Sequence, residues 1–147
     1  MNSFSESADL CTVSGWKQCT GNPLWKNKNG SWKEDFSCQG YVGGNGIDKV
    51  KEGGRKTPTG VFGFTKAFGI KDNPGAKLPY TKLNPYLYWC GDEQWYNTLV
   101  DVRETPHECS GEHLISYVPH YNYVLAIDYN PECIFGKGSA IFLHCTG

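Results

Sequence analysis

Helical periodicity is weak throughout this chain; what recurs is a short apolar or aromatic run cut off by glycine or proline. Eighteen glycines and eight prolines punctuate 147 residues that also hold nine tyrosines and five tryptophans. Gly and Pro supply turns, while aromatic and β-branched residues fit a pleated, half-buried surface. The pattern therefore predicts a mainly-β domain of short strands, with Glu112–Tyr117 the one plausible short helix.

Lys26-Asn-Lys-Asn-Gly30 reads as a hairpin turn between Pro23-Leu-Trp25 and Ser31-Trp-Lys33, because Asn29-Gly30 suits the two positive-φ positions of a tight turn. Phe36–Val42 continues as a strand and breaks at Gly43-Gly-Asn-Gly46. Gly60–Thr65 alternates like a half-buried strand, with a turn at Thr57-Pro58 before it. Tyr121–Tyr129 is the clearest long strand, and Ser139–Leu143 forms a terminal one after the Gly136-Lys-Gly138 turn. Between them, Gly69 to Cys90 is a long Pro- and Tyr-rich connection, which reads as an ordered surface feature such as a cleft wall.

Net charge is −1, so there is no basic stripe for nucleic acid and no acidic tail. No run approaches the roughly 18 apolar residues of a membrane-spanning helix. The N-terminal residues Met1–Ala8 lack the charged and apolar regions of a signal peptide. Seven scattered cysteines (Cys11, Cys19, Cys38, Cys90, Cys109, Cys133 and Cys145) suggest a disulfide framework rather than a zinc site, and a secreted or surface-exposed protein. Asn29-Gly30-Ser31 is a glycosylation sequon compatible with that setting. Because seven is odd, one thiol is free or has its partner in another chain.

The richest chemistry lies at the last strand. Ala140-Ile-Phe-Leu143 delivers His144 and Cys145 to a strand end, the residue types of a base and a thiol nucleophile. Sequence neighbours on a strand point to opposite faces, so a direct dyad between the two is geometrically awkward. A disulfide or a buried thiol suits Cys145 better. Elsewhere, His107-Glu-Cys-Ser-Gly-Glu-His113 offers imidazoles, a thiolate and carboxylates. Its histidine spacing is not that of a zinc-protease helix, and a polar loop with a disulfide is the plainer reading. Gly53–Gly60 lacks the ending of a phosphate-binding loop and reads as a tight turn into a strand.

Taken in order, several motifs assemble into a family pattern. They are Glu52-Gly-Gly-Arg-Lys-Thr-Pro-Thr-Gly-Val-Phe62, Ala67-Phe-Gly69, Leu78-Pro-Tyr80, Tyr88-Trp89, Tyr96-Asn97, Glu112-His-Leu114, Tyr129-Asn130 and Gly138-Ser-Ala-Ile-Phe-Leu-His144. Over residues 32–147 this order resembles the L,D-transpeptidase catalytic domain (YkuD-like), in the branch found in secreted bacterial cell-wall proteins. Residues 1–31 then form a lead-in and first hairpin.

The resemblance implies a β-sandwich carrying a cysteine enzyme of peptidoglycan, secreted or in the cell envelope, with no cofactor and no metal. Such enzymes cleave a tetrapeptide stem after its third residue, form a thioester, and pass the acyl group to an amine of a second stem or to water. His144 matches the family's general base and acid. Cys145 matches the next position, whose backbone helps orient the histidine. Tyr96, Asn97, His113 and Ser139 fall on motifs expected to contact substrate. The family's nucleophile sits in a Ser/Thr-x-Gly-Cys element after a loop beyond the histidine, and no such element occurs in this sequence. The expected C-terminal strands are likewise missing from it. Three readings stand open: a portion of an enzyme completed by a C-terminal fragment or a second copy, a degenerate member that binds peptidoglycan or glycan without chemistry, or Cys145 as a replacement nucleophile.

Overall fold

A computed structural model describes residues 17–145. Cys11 and the leader positions Met1–Ala8 lie outside the described residues. The described chain is mainly β: nine strands, three single-turn 3-10 helices and no α-helix. None of its helices is long and apolar enough to cross a membrane.

Strands β1 (Lys17–Lys28) and β2 (Ser31–Val42) form an antiparallel hairpin. Its turn is Asn29-Gly30, with φ of 54° and 79°, the paired left-handed conformation that an Asn-Gly sequence favours. The boundary expected between positions 31 and 32 falls inside this hairpin. Beyond it, the Gly43 N–H donates to the buried Thr57 hydroxyl at 2.8 Å, which ties the hairpin's end to the Lys56-Thr-Pro segment.

A four-stranded sheet follows, in the order β4-β3-β8-β9, from Tyr80–Lys82, Phe64–Gly69, Val124–Ile127 and Phe142–His144. β3 and β4 are parallel and the other pairs antiparallel. A three-stranded antiparallel sheet, β6-β5-β7, comes from Thr98–Asp101, Leu87–Cys90 and Glu112–His113. The core forms where these two sheets meet. Trp89 of β5 stacks on Phe68 of β3 at 6.1 Å and meets Phe142 of β9 edge-on at 4.8 Å. Leu83, Leu87, Leu114, Tyr121, Val124 and Ala126 complete this cluster. Burying each of the larger side chains contributes about 1.5–3 kcal/mol before conformational entropy is counted. A smaller cluster of Ile127, Tyr129 and Ile141 continues the core under Phe62 and Phe64.

Several elements differ from the sequence-based expectation for identifiable reasons. The strand expected over Tyr121–Tyr129 is confined to Val124–Ile127, because His120–Asn122 closes a 3-10 turn that buries the Tyr121 ring against Phe68 and Phe142. Asn130, with φ of 55°, turns the chain after it. The strand expected over Gly60–Thr65 forms instead at Phe64–Gly69, where β4 and β8 lie on either side to pair with it. The last strand starts at Phe142, since Ala140 has φ of 53° and bends the chain just before it. The expected helix over Glu112–Tyr117 is two residues of β7 and a 3-10 turn at Leu114–Ser116. The long connection from Gly69 to Cys90 contains β4 and β5, and Trp89 within it is a core residue.

Candidate active site

The two ends of the final segment line different depressions. Ser139, Ala140 and Ile141 border a cleft of about 740 Å³ that also takes Trp89, Tyr96, Tyr117 and Phe135 into its walls. Leu143, His144 and Cys145 border a second, more apolar groove of about 330 Å³ with Tyr80, Tyr123 and Leu125.

His144 ends β9 opposite Val124. Its ring lies 5.3 Å from Tyr121 and 6.1 Å from His120, both edge-on. Nδ1 sits 2.7 Å from the Cys145 carbonyl oxygen. A carbonyl can only accept, so Nδ1 carries the hydrogen and Nε2, which is buried, keeps its lone pair. Burial lowers the imidazole pKa below its ordinary 6.5, against the opposing effect of the Cys145 carbonyl. The ring is therefore neutral at pH 7.

Cys145 is fastened by its backbone, whose N–H donates to the His120 carbonyl at 3.2 Å. Its thiol faces the Tyr123 carbonyl at 3.8 Å. Cys90, Cys109, Cys133 and Cys145 all carry free thiols in the structure, with no disulfide among them. Burial and the neighbouring Cys109 push the Cys90 thiol up to about 12, which keeps it protonated and unreactive at neutral pH.

In the larger cleft, Tyr96 and Ser139 converge on Glu52. The Tyr96 hydroxyl donates to the Glu52 carboxylate, and the Ser139 hydroxyl donates to the same oxygen at 2.9 Å. The Gly53 N–H supplies a further donor to Glu52 at 3.1 Å. Burial works against ionisation of Glu52, but these bonds and Lys49 outweigh it and hold the carboxyl below its ordinary 4.5. Glu112, on β7, is shifted the other way: burial raises it, against a 2.6 Å hydrogen bond from the Tyr121 hydroxyl. Lys49, Arg55 and Lys56 also line this cleft. The cleft thus presents both cations and carboxylates.

Asn97 and His113 are both engaged by framework hydrogen bonds. The Asn97 side-chain oxygen accepts from Trp89 Nε1 at 3.0 Å and the Ala140 N–H at 3.2 Å. Its amide nitrogen donates to the carbonyls of Tyr129 and Asn130, each at 3.0 Å. All four hydrogen-bonding valences are used, and Asn97 pins the Ala140 bend to β5. His113 stacks on Tyr88 at 4.6 Å, donates through Nε2 to the Pro85 carbonyl at 2.9 Å, and accepts at Nδ1 from the Ser116 hydroxyl at 3.0 Å.

The segment His107–His113 divides its partners: His107 and Cys109 group with Cys90 and Asp92, while His113 bonds Pro85 and Ser116. With no metal expected, linear spacing gives no cue to this grouping, because half of its residues come from β5 and the turn after it. Glu52 and Glu112 also escape sequence reasoning as site residues; their signal is only their place within the Glu52–Phe62 and Glu112–Leu114 motifs. No family model, curated protein or solved structure matches the chain.

Proposed function

We propose that this chain carries the base side of a cysteine acyltransferase acting on peptidoglycan stem peptides, an L,D-transpeptidase or carboxypeptidase on a β-sandwich of that family's kind, working outside the cell or in its envelope. The observation that supports this reading is the bond from His144 Nδ1 to the Cys145 carbonyl at the end of β9. A backbone carbonyl that fixes the tautomer and ring direction leaves the Nε2 lone pair for a thiol proton; Nε2 is buried among the described residues, so that exchange requires the ring or its cover to move. The thiolate attacks the carbonyl carbon after the third stem residue, and backbone N–H groups stabilise the oxyanion. The tetrahedral intermediate collapses to a thioester as the departing D-Ala amine takes the proton from His144. An acceptor amine or water, deprotonated by His144, then releases the acyl group.

Among the described residues, Cys90 is held protonated, Cys133 faces the Pro131 carbonyl, and the Cys145 thiol is turned onto Tyr123. Cys109 clusters with Cys90, and no cysteine of this sequence stands in a Ser/Thr-x-Gly-Cys element, so in this reading the nucleophile is supplied by continuing polypeptide or by a second chain beside β9. The test uses the longest product its gene encodes, incubated with a tetrapeptide stem and followed by intact mass. A covalent adduct with loss of D-Ala is expected, reduced at least about 100-fold in rate by His144→Gln, the usual scale for removing a general base. An adduct unaffected by that substitution would end the proposal.

A second reading has its own support. His144 lies outside the lining of the larger cleft, whose walls are aromatic and charged. A cleft of that kind binds a glycan or peptide without chemistry. Stem peptide that binds, loses affinity in Tyr96→Ala, and never forms an adduct would favour it.

A further inference from the structure

Four metal-ligating side chains meet behind one wall of the larger cleft. Cys90 at the end of β5, Asp92 in the turn after it, and His107 and Cys109 in the loop before β7 bring one ligand atom each within 4.8 Å of all the others. Cys90 Sγ is 3.3 Å from His107 Nε2 and 3.3 Å from an Asp92 carboxylate oxygen, and that oxygen is 3.6 Å from Nε2. Ligands placed about 2.0–2.3 Å from a tetrahedral zinc ion stand about 3.3–3.8 Å apart, so the three measured edges already fit.

The surroundings prepare each donor. His107 Nδ1 lies 2.7 Å from the Thr105 carbonyl, so it carries the hydrogen and the Nε2 lone pair faces the sulfur. Trp95 stacks over the same ring at 6.2 Å. Asp92 is held by the Ser110 hydroxyl at 2.6 Å and the Ser110 N–H at 3.2 Å. A carbonyl behind the imidazole and donors behind the carboxylate are the supporting bonds that orient metal ligands. A Cys90–Cys109 disulfide would account for two of the four residues and leave the aim of His107 and Asp92 unexplained.

We propose that Cys90, Asp92, His107 and Cys109 bind one zinc ion in a closed, four-ligand structural site. Two thiolates, an imidazole and a carboxylate match the borderline-soft character of zinc. Binding Zn²⁺ releases the two thiol protons to solvent, and the remaining negative charge is spread onto the Ser110 donors. The ion ties the end of β5 to the loop that leads into β7. Trp89, Gly91, Ser110, Gly111 and Glu112, which line the cleft, flank those ligands, so the metal fixes that wall whatever the cleft binds.

The experiment loads the full chain with zinc chloride under reducing conditions, removes excess metal, and measures zinc by elemental analysis and native mass spectrometry. One zinc per chain is expected, and cobalt in its place should give the visible absorption of a tetrahedral thiolate site. Cys90→Ser with Cys109→Ser should abolish binding, while Cys133→Ser leaves it intact. Should the double variant fail to fold, His107→Gln and Asp92→Asn serve instead, and Ser110→Ala should weaken affinity about 10-fold through the Asp92 support. Reduced chain that retains no zinc, zinc retained equally by the ligand variants, or a Cys90–Cys109 disulfide in protein isolated without reductant would each overturn the site.

Discussion

Asn97, which falls on a motif expected to contact substrate, spends its side-chain hydrogen bonds on the framework. It occupies the left-handed region with φ of 58°, which asparagine tolerates better than other non-glycine residues. From there its amide joins β5, the Tyr129–Asn130 turn and the Ala140 bend. Asn97→Ala leaves several part-buried partners unsatisfied at about 1–3 kcal/mol each, so we expect a loss of about 2–4 kcal/mol in denaturant unfolding. His144 makes a second prediction at this scale. Its folded pKa lies below the ordinary 6.5. The unfolded chain therefore binds this proton first as pH falls. Stability from this residue is complete above 6.5 and declines as pH drops from there through the folded pKa. Thermal melts from pH 8 to 5 should show that decline, and His144→Gln should flatten it.

At the scale of elements, the β5–β7 pairing joins the core to the cleft. Trp89 of β5 belongs to the core cluster and also lines the cleft, as does its paired Glu112 of β7. The chain reaches β7 through Gly111, where an added Cβ would overlap the Trp89 carbonyl oxygen. That atom is backbone inside a sheet and cannot swing aside. Gly111→Ala should therefore cost about 3 kcal/mol or more in equilibrium unfolding and weaken ligand binding in the cleft together with stability. A variant of parental stability would show that β7 is not anchored at this point. The Asn29-Gly30 hairpin stands in contrast, since its turn follows from two adjacent residues and needs no partner strand elsewhere to specify it.

At the scale of the whole molecule, assembly centres on β9. Among the described residues it is an edge strand, paired only with β8. It carries the core residue Phe142 and the groove residues Leu143 and His144. An apolar edge is a template for another strand, and one added there would run directly beside His144. Residues 1–147 prepared alone should therefore associate as concentration rises in sedimentation equilibrium. Leu143→Lys, which places a charge on that edge, should shift them toward monomer. A compact monomer of 16.4 kDa throughout the range would show that the edge is not used.

The mainly-β class, the first hairpin and the arrival of His144 at a strand end were all legible in the residues. Each rests on a local preference: glycine and asparagine for left-handed turns, aromatic and branched side chains for pleated surfaces. Strand limits were less legible, because Phe64–Gly69 and Val124–Ile127 extend only as far as each finds a neighbour to bond. Which side chains share a site was decided by the tertiary structure alone. Tyr96 meets Glu52 across 44 positions, Ser139 meets it across 87, and Cys90 meets His107 across 17. Those meetings follow from which strands pair and which faces pack around Phe68, Trp89 and Phe142. Such long-range choices are made by burial summed over the whole chain, and no local spacing encodes them.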